Sequence, residues 1–356
     1  MDIFPLLHLA ISKGASDLHL VADSPPLLRI NGMLGPAADM LPLTPDDINQ
    51  AFTQITSDKE RADFHRCLEL DFGYTIPEVG RLRCNAAKQR GTISLVIRLM
   101  PLVITTLDEL ELPEVCKELV LKHRGLVVVS GPSGSGKSTT LTAMINYLNS
   151  IESRCVVTIE DPIEYVYSNL KCTITQRELG NDTLSFTEAL KHILRQDPDV
   201  ILVGEMRDLE TAAAVLTVAE TGHLILTTGH APSASQAIDR IIDLFPPHER
   251  HLAQSRLASL LLGVLCQTLV PKADGSGRIA AVEIMMANLA VRNLIREGKI
   301  YQLPNTMRMH TQLGMVLLDQ ALVNLHRKGI ISRESLLAFC NNRDEVEQLS
   351  EKVEVK

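Results

Sequence analysis

The stretch GPSGSGKS, residues 131–138, carries the most specific chemistry in the chain. Gly131, Gly134 and Gly136 let the backbone curl so that successive N–H groups converge, which is how a loop cradles phosphate oxygens. Ser133 and Ser135 sit between them. Lys137 is spaced to reach the β- and γ-phosphates, Ser138 offers a hydroxyl to Mg²⁺, and Thr139 follows in the first helical turn. An apolar run precedes the loop and the helical pattern STTLTAMINYL follows, so a helix N-terminus adds its positive dipole. The chemistry predicted is binding of a nucleoside triphosphate with Mg²⁺.

Two further strand ends supply acids. In DPDVILVGEMRD (197–208) the apolar VILVG delivers Glu205 to its C-terminal end, where ligands gather in open α/β sheets. An acid in that place holds Mg²⁺, often through water. VTIEDPIEYV (157–166) carries Glu160 and Asp161 to the same rim, with Glu164 beyond the turn at Pro162. Taken alone, such a cluster reads as a polar loop. Beside a triphosphate it gains a use: Mg²⁺ offsets the mutual repulsion, and one carboxylate orients and polarises the attacking water. Glu164 is placed to reach over the γ-phosphate, while Glu160 and Asp161 hold metal waters or brace the loop. HLILTTGH sets His223 and His230 at opposite ends of another strand. Histidines more often pack or cap than react, but His230 stands at the C-terminal rim, where it would sense the γ-phosphate.

Positive charge comes from RLRCNAA (81–87) and TISLVIRLM (92–100), alternating strands joined by a Lys-Gln-Arg-Gly turn. Leu82, Cys84 and Ala86 share one face, which leaves Arg81, Arg83 and Asn85 on the other. Arg98 lies opposite Ile93, Leu95, Ile97 and Leu99 on its own strand. This basic face is either solvated edge charge or a phosphate-directed surface.

The elements that must position these groups follow from composition and pattern. The chain has 356 residues, 45% hydrophobic and 22% charged, which suits a large buried core and two domains. Aromatics are 3%, Trp is absent and the net charge is −8. Too few rings and too little basic surface argue against nucleic-acid binding. The 7 cysteines are scattered without a C-x-x-C pair, as in reduced cytosolic proteins. MDIFPLLHLAIS lacks a basic leader, and no apolar run approaches the roughly 18 residues that span a bilayer. A soluble chain without direct membrane insertion is expected.

The first hundred residues read as a small mixed domain. FPLLHLAISKG is a helix stopped at Gly14, SDLHLV and LLRINGML are short strands, and Thr44-Pro45 opens a helix. ITTLDELELPEV reads as a linker starting near Pro101. From Arg124, GLVVVS, RCVVTIE, DVILVGE, HLILTTG and IAAVEIMM alternate with helical stretches, the pattern of a parallel sheet. Beyond about residue 287 the pattern is helical, ending in a charged tail, DEVEQLSEKVEVK, expected to fray.

In order and spacing, GPSGSGKSTT, TIEDPIEY, DPDVILVGEMRD and ETGH resemble the bacterial secretion-type ATPases, and among them the twitching-motility ATPases that retract type IV pili. GASDLHL, RLRCNAAKQRGT and AVRNLIRE (290–297) resemble further segments of that family, so the likeness covers nearly the whole chain. It implies a fold: an α/β RecA-like P-loop core over 117–286, a smaller PAS-like α+β domain over 1–101, a linker over 102–116 and a helical region over 287–356. It also implies ATP as substrate and a homohexamer acting on an inner-membrane platform protein, cytoplasmic and peripheral to that membrane. By the same resemblance Lys137 and Ser138 match the Walker A residues, Glu205 the Walker B acid and Glu164 the catalytic glutamate. His223 and His230 match the two His-box positions, and Arg83 and Arg98 the arginines that reach the γ-phosphate.

One segment departs from the family. TTGHAPSA (227–234) stands where a sequence like GTLHTTSA is usual, so Gly229 replaces a bulky residue and Ala231-Pro232 replaces two threonines. An accessory retraction paralogue with weak turnover, or an assembly protein that binds ATP and barely cleaves it, is the alternative that this suggests. Extension and type II secretion ATPases resemble longer chains with a four-cysteine insert that is not visible here. A DNA-remodelling ATPase is disfavoured by the acidic charge.

Overall fold

The computed structural model describes residues 1–351 apart from 31, 39, 77–79 and 101–102. Pro101 and the end of the charged tail therefore lie outside the described residues. Contacts divide the chain into two units, Met1–Val103 with Pro162–Val166, and Ile104–Asp161 with Tyr167–Lys356.

The first unit runs α1 (Phe4–Ser12), β1 (Asp17–Leu20), β2 (Leu27–Ile30), β3 (Met33–Pro36), α2 (Pro45–Gln54), α3 (Asp58–Cys67), β4 (Glu69–Ile76), β5 (Gly80–Gln89) and β6 (Thr92–Leu99). Its sheet is antiparallel with order β3-β2-β1-β6-β5-β4. Thr44 and Ser57 cap α2 and α3 with reciprocal capping boxes through Asp47 and Glu60. The helices bury Leu7, Ile48, Phe52 and Phe64 against Leu82, Cys84, Ala86, Ile93, Leu95 and Ile97 of the sheet. Strand alternation therefore turns Arg83 and Arg98 to the exposed face.

The second unit runs α4 (Val115–Val120), β7 (Gly125–Ser130), α5 (Lys137–Ile151), β8 (Cys155–Glu160), β9 (Thr173–Glu178), α6 (Phe186–Ile193), β10 (Val200–Val203), α7 (Leu209–Glu220) and β11 (Leu224–Thr228). It continues with α8 (Ala234–Asp243), α9 (Arg250–Leu260), β12 (Leu261–Pro271) and β13 (Arg278–Met286). The chain ends in helices α10 (Leu289–Arg296), α11 (Leu303–Met309), α12 (Leu318–Arg327), α13 (Arg333–Phe339) and α14 (Arg343–Glu351). The sheet order is β13-β12-β7-β11-β10-β8-β9, parallel throughout except for the β12–β13 pair. Helices cover both faces, so β7, β10 and β11 are wholly buried and read as unbroken apolar runs. β9 and β12 were not among the expected strands.

The stretch expected to be a linker is packed. Leu107 and Cys116 are buried in the second unit's core, and burial pushes the Cys116 thiol up to about 12. Among the described residues no helix is long and apolar enough to cross a membrane.

Candidate functional site

The phosphate loop leaves β7 at the middle of the sheet and enters α5. Gly136 is the N-cap in the left-handed region, and among the described residues no side chain caps the helix, so the positive end of the α5 dipole faces the loop. Gly131 has φ of +143°, and a Cβ there would overlap the Gln267 carbonyl oxygen and lie 2.6 Å from Ser135 Oγ. Only glycine fits. Lys137 is buried, its Nζ donating to the carbonyls of Gly131 and Pro132 at 2.9 Å each, which sets the ammonium inside the loop. Ser133 and Gly134 are exposed, while Ser138 and Thr139 are half-buried on the helix's first turn.

Beside the loop, parallel pairing lines up the other rim residues. β11 lies between β7 and β10, so the turn after Thr228 stands between the phosphate loop and Glu205. Glu205 is 11% exposed; its two oxygens meet His230 Nε2 at 3.2 Å and Arg207 Nε. A carboxylate only accepts, so Nε2 carries the imidazole proton. The His230 turn is tied to the loop's base. Ser130 Oγ donates to the Ala231 carbonyl at 2.7 Å and accepts from the Ala231 N–H at 2.8 Å. A Cβ on Gly229 would lie 3.1 Å from that same hydroxyl. The departure at Gly229 thus leaves room for the hydroxyl that braces the turn. Gly229, Thr228, His230, Met206, Arg207 and Arg240 border a cavity of about 340 Å³.

Glu160 is immobilised: the Thr158 hydroxyl donates to it at 2.6 Å and the Gln176 amide at 3.1 Å. Asp161 is exposed at the same rim. His223 is elsewhere. It precedes β11 at the N-terminal edge of the sheet, bonded to the Thr221 hydroxyl at 2.8 Å, and the fold does not bring it to Lys137.

A cavity of about 190 Å³ opens next to Gly136 and Thr139. Leu110, Leu112, Leu269 and Ile279 give it apolar walls, and Lys272 pairs with Glu111 at 2.8 Å at its edge. Among the described residues Ser135 Oγ and Gln267 Oε1, which border it, are buried without a hydrogen-bond partner, as polar groups awaiting a ligand are. None of these wall residues was singled out from the sequence. The local signal was Thr106-Leu107-Asp108-Glu109, a capping pattern realised by mutual bonds between Thr106 and Glu109.

The donor set fits Mg²⁺. Ser138 and Glu205 offer hard oxygen donors, and among the described residues no cluster of acids, histidines or cysteines is sufficient to hold a metal alone. A cation here needs phosphate and water to complete its shell, which is how Mg²⁺ binds beside nucleotides.

The remaining predicted residues belong to the first unit. Arg29, Asp17, Arg98, Arg83 and Gly73 stand directly opposite one another across β2, β1, β6, β5 and β4. Arg98 Nε donates to Asp17 Oδ1 at 2.9 Å, and Arg29 pairs with Oδ2 at 3.7 Å. Burial works to raise the Asp17 pKa, but the Ser16 hydroxyl and the Arg98 guanidinium outweigh it, and the carboxyl lies below its ordinary value. Arg83 is exposed and forms no ion pair among the described residues. Glu164 is half-buried in the Pro162–Val166 segment, which groups with this unit.

Comparison with known proteins supplies the biological frame. The family described as Type II/IV secretion system protein matches residues 81–343. Pseudomonas aeruginosa PilT, described as a type IV pilus retraction ATPase, is 47% identical over 94% of this chain and 97% of its own. The type IV pilus ATPase PilU of the same organism is 40% identical over 97% and 90% of the two chains. A crystal structure of the pilus retraction motor PilT with bound ADP superposes with a TM-score of 0.91 at 41% identity, covering 98% of this chain and 99% of that one.

Proposed function

We propose a function from a premise that the comparisons establish: the chain belongs to the Type II/IV secretion system protein family. It is an ATPase of that family, and its work is the retraction of type IV pili, the activity for which its relatives are named. The observation that carries this reading is the placement of Lys137 and the uncapped α5 N-terminus on one sheet rim with Glu205 and His230.

The roles follow from charge and position. Lys137 and the α5 N-terminus neutralise the β- and γ-phosphates, Ser135 to Thr139 cradle them, and the 190 Å³ cavity takes the nucleoside. Ser138 and Glu205 hold Mg²⁺, which when bound lowers the charge of the phosphate oxygens. Glu164 orients and polarises the attacking water, and His230, fixed against Glu205, senses the γ-phosphate. Arg98 is half-neutralised by Asp17, so Arg83 is the stronger candidate for stabilising transition-state charge. His223, on the opposite sheet edge, has a place in the nucleotide site only if a neighbouring subunit uses it. The working assembly in this reading is a homohexamer that acts on a membrane-embedded platform protein.

The test compares Lys137→Ala and Glu164→Gln in purified protein. The first loses nucleotide binding and turnover together. The second keeps nucleotide binding and loses turnover by about 100-fold or more, because only the water-polarising charge is gone. Loss of binding in Glu164→Gln would make that residue structural, and full turnover would remove it from the chemistry.

A further inference from the structure

The acid proposed to polarise water is carried by a segment that groups with the N-terminal unit, although strands of the other unit flank it in sequence. One side chain of that unit grips the segment. Arg81 Nε donates to the Ile163 carbonyl at 3.2 Å, one residue before Glu164, while its Nη1 donates to Thr75 Oγ1 at 3.1 Å. The guanidinium lies over Gly73 of β4: a Cβ at Gly73 would overlap Nη2 and sit 2.8 Å from Cζ. Thr75 and Arg81 stand directly opposite on β4 and β5. Glycine at 73 and the hydroxyl at 75 thus form a fitted berth that aims the arginine at the segment.

We infer that Arg81 is a positioning residue for hydrolysis: it fixes the Ile163 carbonyl and so sets where Glu164 stands. The inference rests on the reading of Glu164 as the water-polarising acid. Arg81 itself touches neither phosphate nor water in this role. Its donors are planar and fixed in direction, so it holds the carbonyl at a defined distance from β4, which a flexible lysine does not. The N-terminal unit then governs turnover through the acid as well as through the charge of Arg83.

The experiment uses the full chain and three changes: Arg81→Ala, Gly73→Ala and Glu164→Gln. Arg81→Ala is expected to lower kcat about 10- to 100-fold with KM and ADP affinity unchanged, the effect of misplacing a catalytic group by about an ångström. Gly73→Ala evicts the guanidinium without removing it and is expected to give the same loss. The double variant Arg81→Ala/Gly73→Ala falls no further than Arg81→Ala alone. Neither change lowers the residual turnover of Glu164→Gln, because both act through that carboxylate. Hydrogen exchange over 162–166 rises in both variants, which reads the grip independently of activity. The inference is overturned if Glu164→Gln is inactive while Arg81→Ala and Gly73→Ala keep normal kcat, or if exchange over 162–166 is unchanged. A fully active Glu164→Gln sinks the reading of the acid instead, and the exchange result still decides whether Arg81 holds the segment.

Discussion

Ser130→Ala tests the bracing of the His230 turn with the smallest possible change. The hydroxyl is fully buried and serves one residue twice, donating to the Ala231 carbonyl and accepting from the Ala231 N–H. Ala231 is itself 1% exposed, so water cannot replace what is lost. Each buried backbone group left without a partner costs about 1–3 kcal/mol, giving about 2–6 kcal/mol if the turn keeps its place. A unit of this size loses about 2–4 °C in Tm per kcal/mol, so even the lower bound predicts a fall of about 4–8 °C. Thermal unfolding reads the stability, and hydrogen exchange at Ala231 locates it. A companion change sharpens the test. Gly229→Ala places a methyl 3.1 Å from the Ser130 hydroxyl but 3.6 Å from the Ser130 Cβ. It should therefore be less harmful in the Ser130→Ala background than alone, a coupling that a double-mutant cycle measures. A Tm within about 1 °C of the parent, with unchanged exchange at Ala231, would refute the bracing argument.

Gly131→Ala should abolish nucleotide binding, because the left-handed φ and the overlap with Gln267 force the loop open. A fluorescent ADP analogue measures it, and retained affinity would mean that the loop relocates freely. Glu283, 4% exposed, accepts from Ala234 N at 2.7 Å and Leu318 N at 3.2 Å, the first residues of α8 and α12. Burial pushes its pKa above the ordinary 4.5 despite those donors, so its stabilising contribution is complete below about pH 4.5 and declines as pH rises through the folded value. Glu283→Gln removes this slope and leaves one helix N–H facing an amide N–H, a loss of about 1–3 kcal/mol. Urea unfolding from pH 4 to 8 should show the parent's advantage over the variant shrinking as pH rises; an advantage that grows would contradict the sign.

Much of the site was legible because its signals are local. The phosphate loop needs glycines at fixed spacing, and an apolar strand ending in Glu205 announces its own rim. The alternation that turns Arg83 away from Leu82 and Cys84 is equally visible. What was missed depends on distant partners. β12 merges with α9 into one apolar run, LASLLLGVL, with no local break. The break is made by Arg292, whose guanidinium donates to the carbonyls of Ala258, Ser259 and Leu261 from more than thirty residues downstream. β9 is a half-exposed edge strand, TITQRE, whose burial pattern supplies no apolar run. The segment before α4 reads as a linker in sequence, yet its leucines line the 190 Å³ cavity beside the phosphate loop. Arg98 looked equivalent to Arg83 until cross-strand register placed Asp17 directly opposite it.

The three acids of TIEDPIEY show why register and grip matter more than charge count. Glu160 is locked to the sheet by Thr158 and Gln176, and Glu205 by His230 and Arg207. Acids held this way keep one position and suit a fixed task, ordering metal water or bracing the rim. Glu164 belongs to a segment that groups with the N-terminal unit and is gripped by Arg81 of that same unit. Hydrolysis by an acid locked to the core sheet would, apart from the charge of Arg83, proceed at one rate whatever the N-terminal unit did. A motor needs the opposite, a chemical step whose rate depends on conformation, because a ligand shifts an equilibrium only through its differing interactions with two states. Assigning the water-polarising role to the acid outside the core lock satisfies that requirement with residues of a single chain.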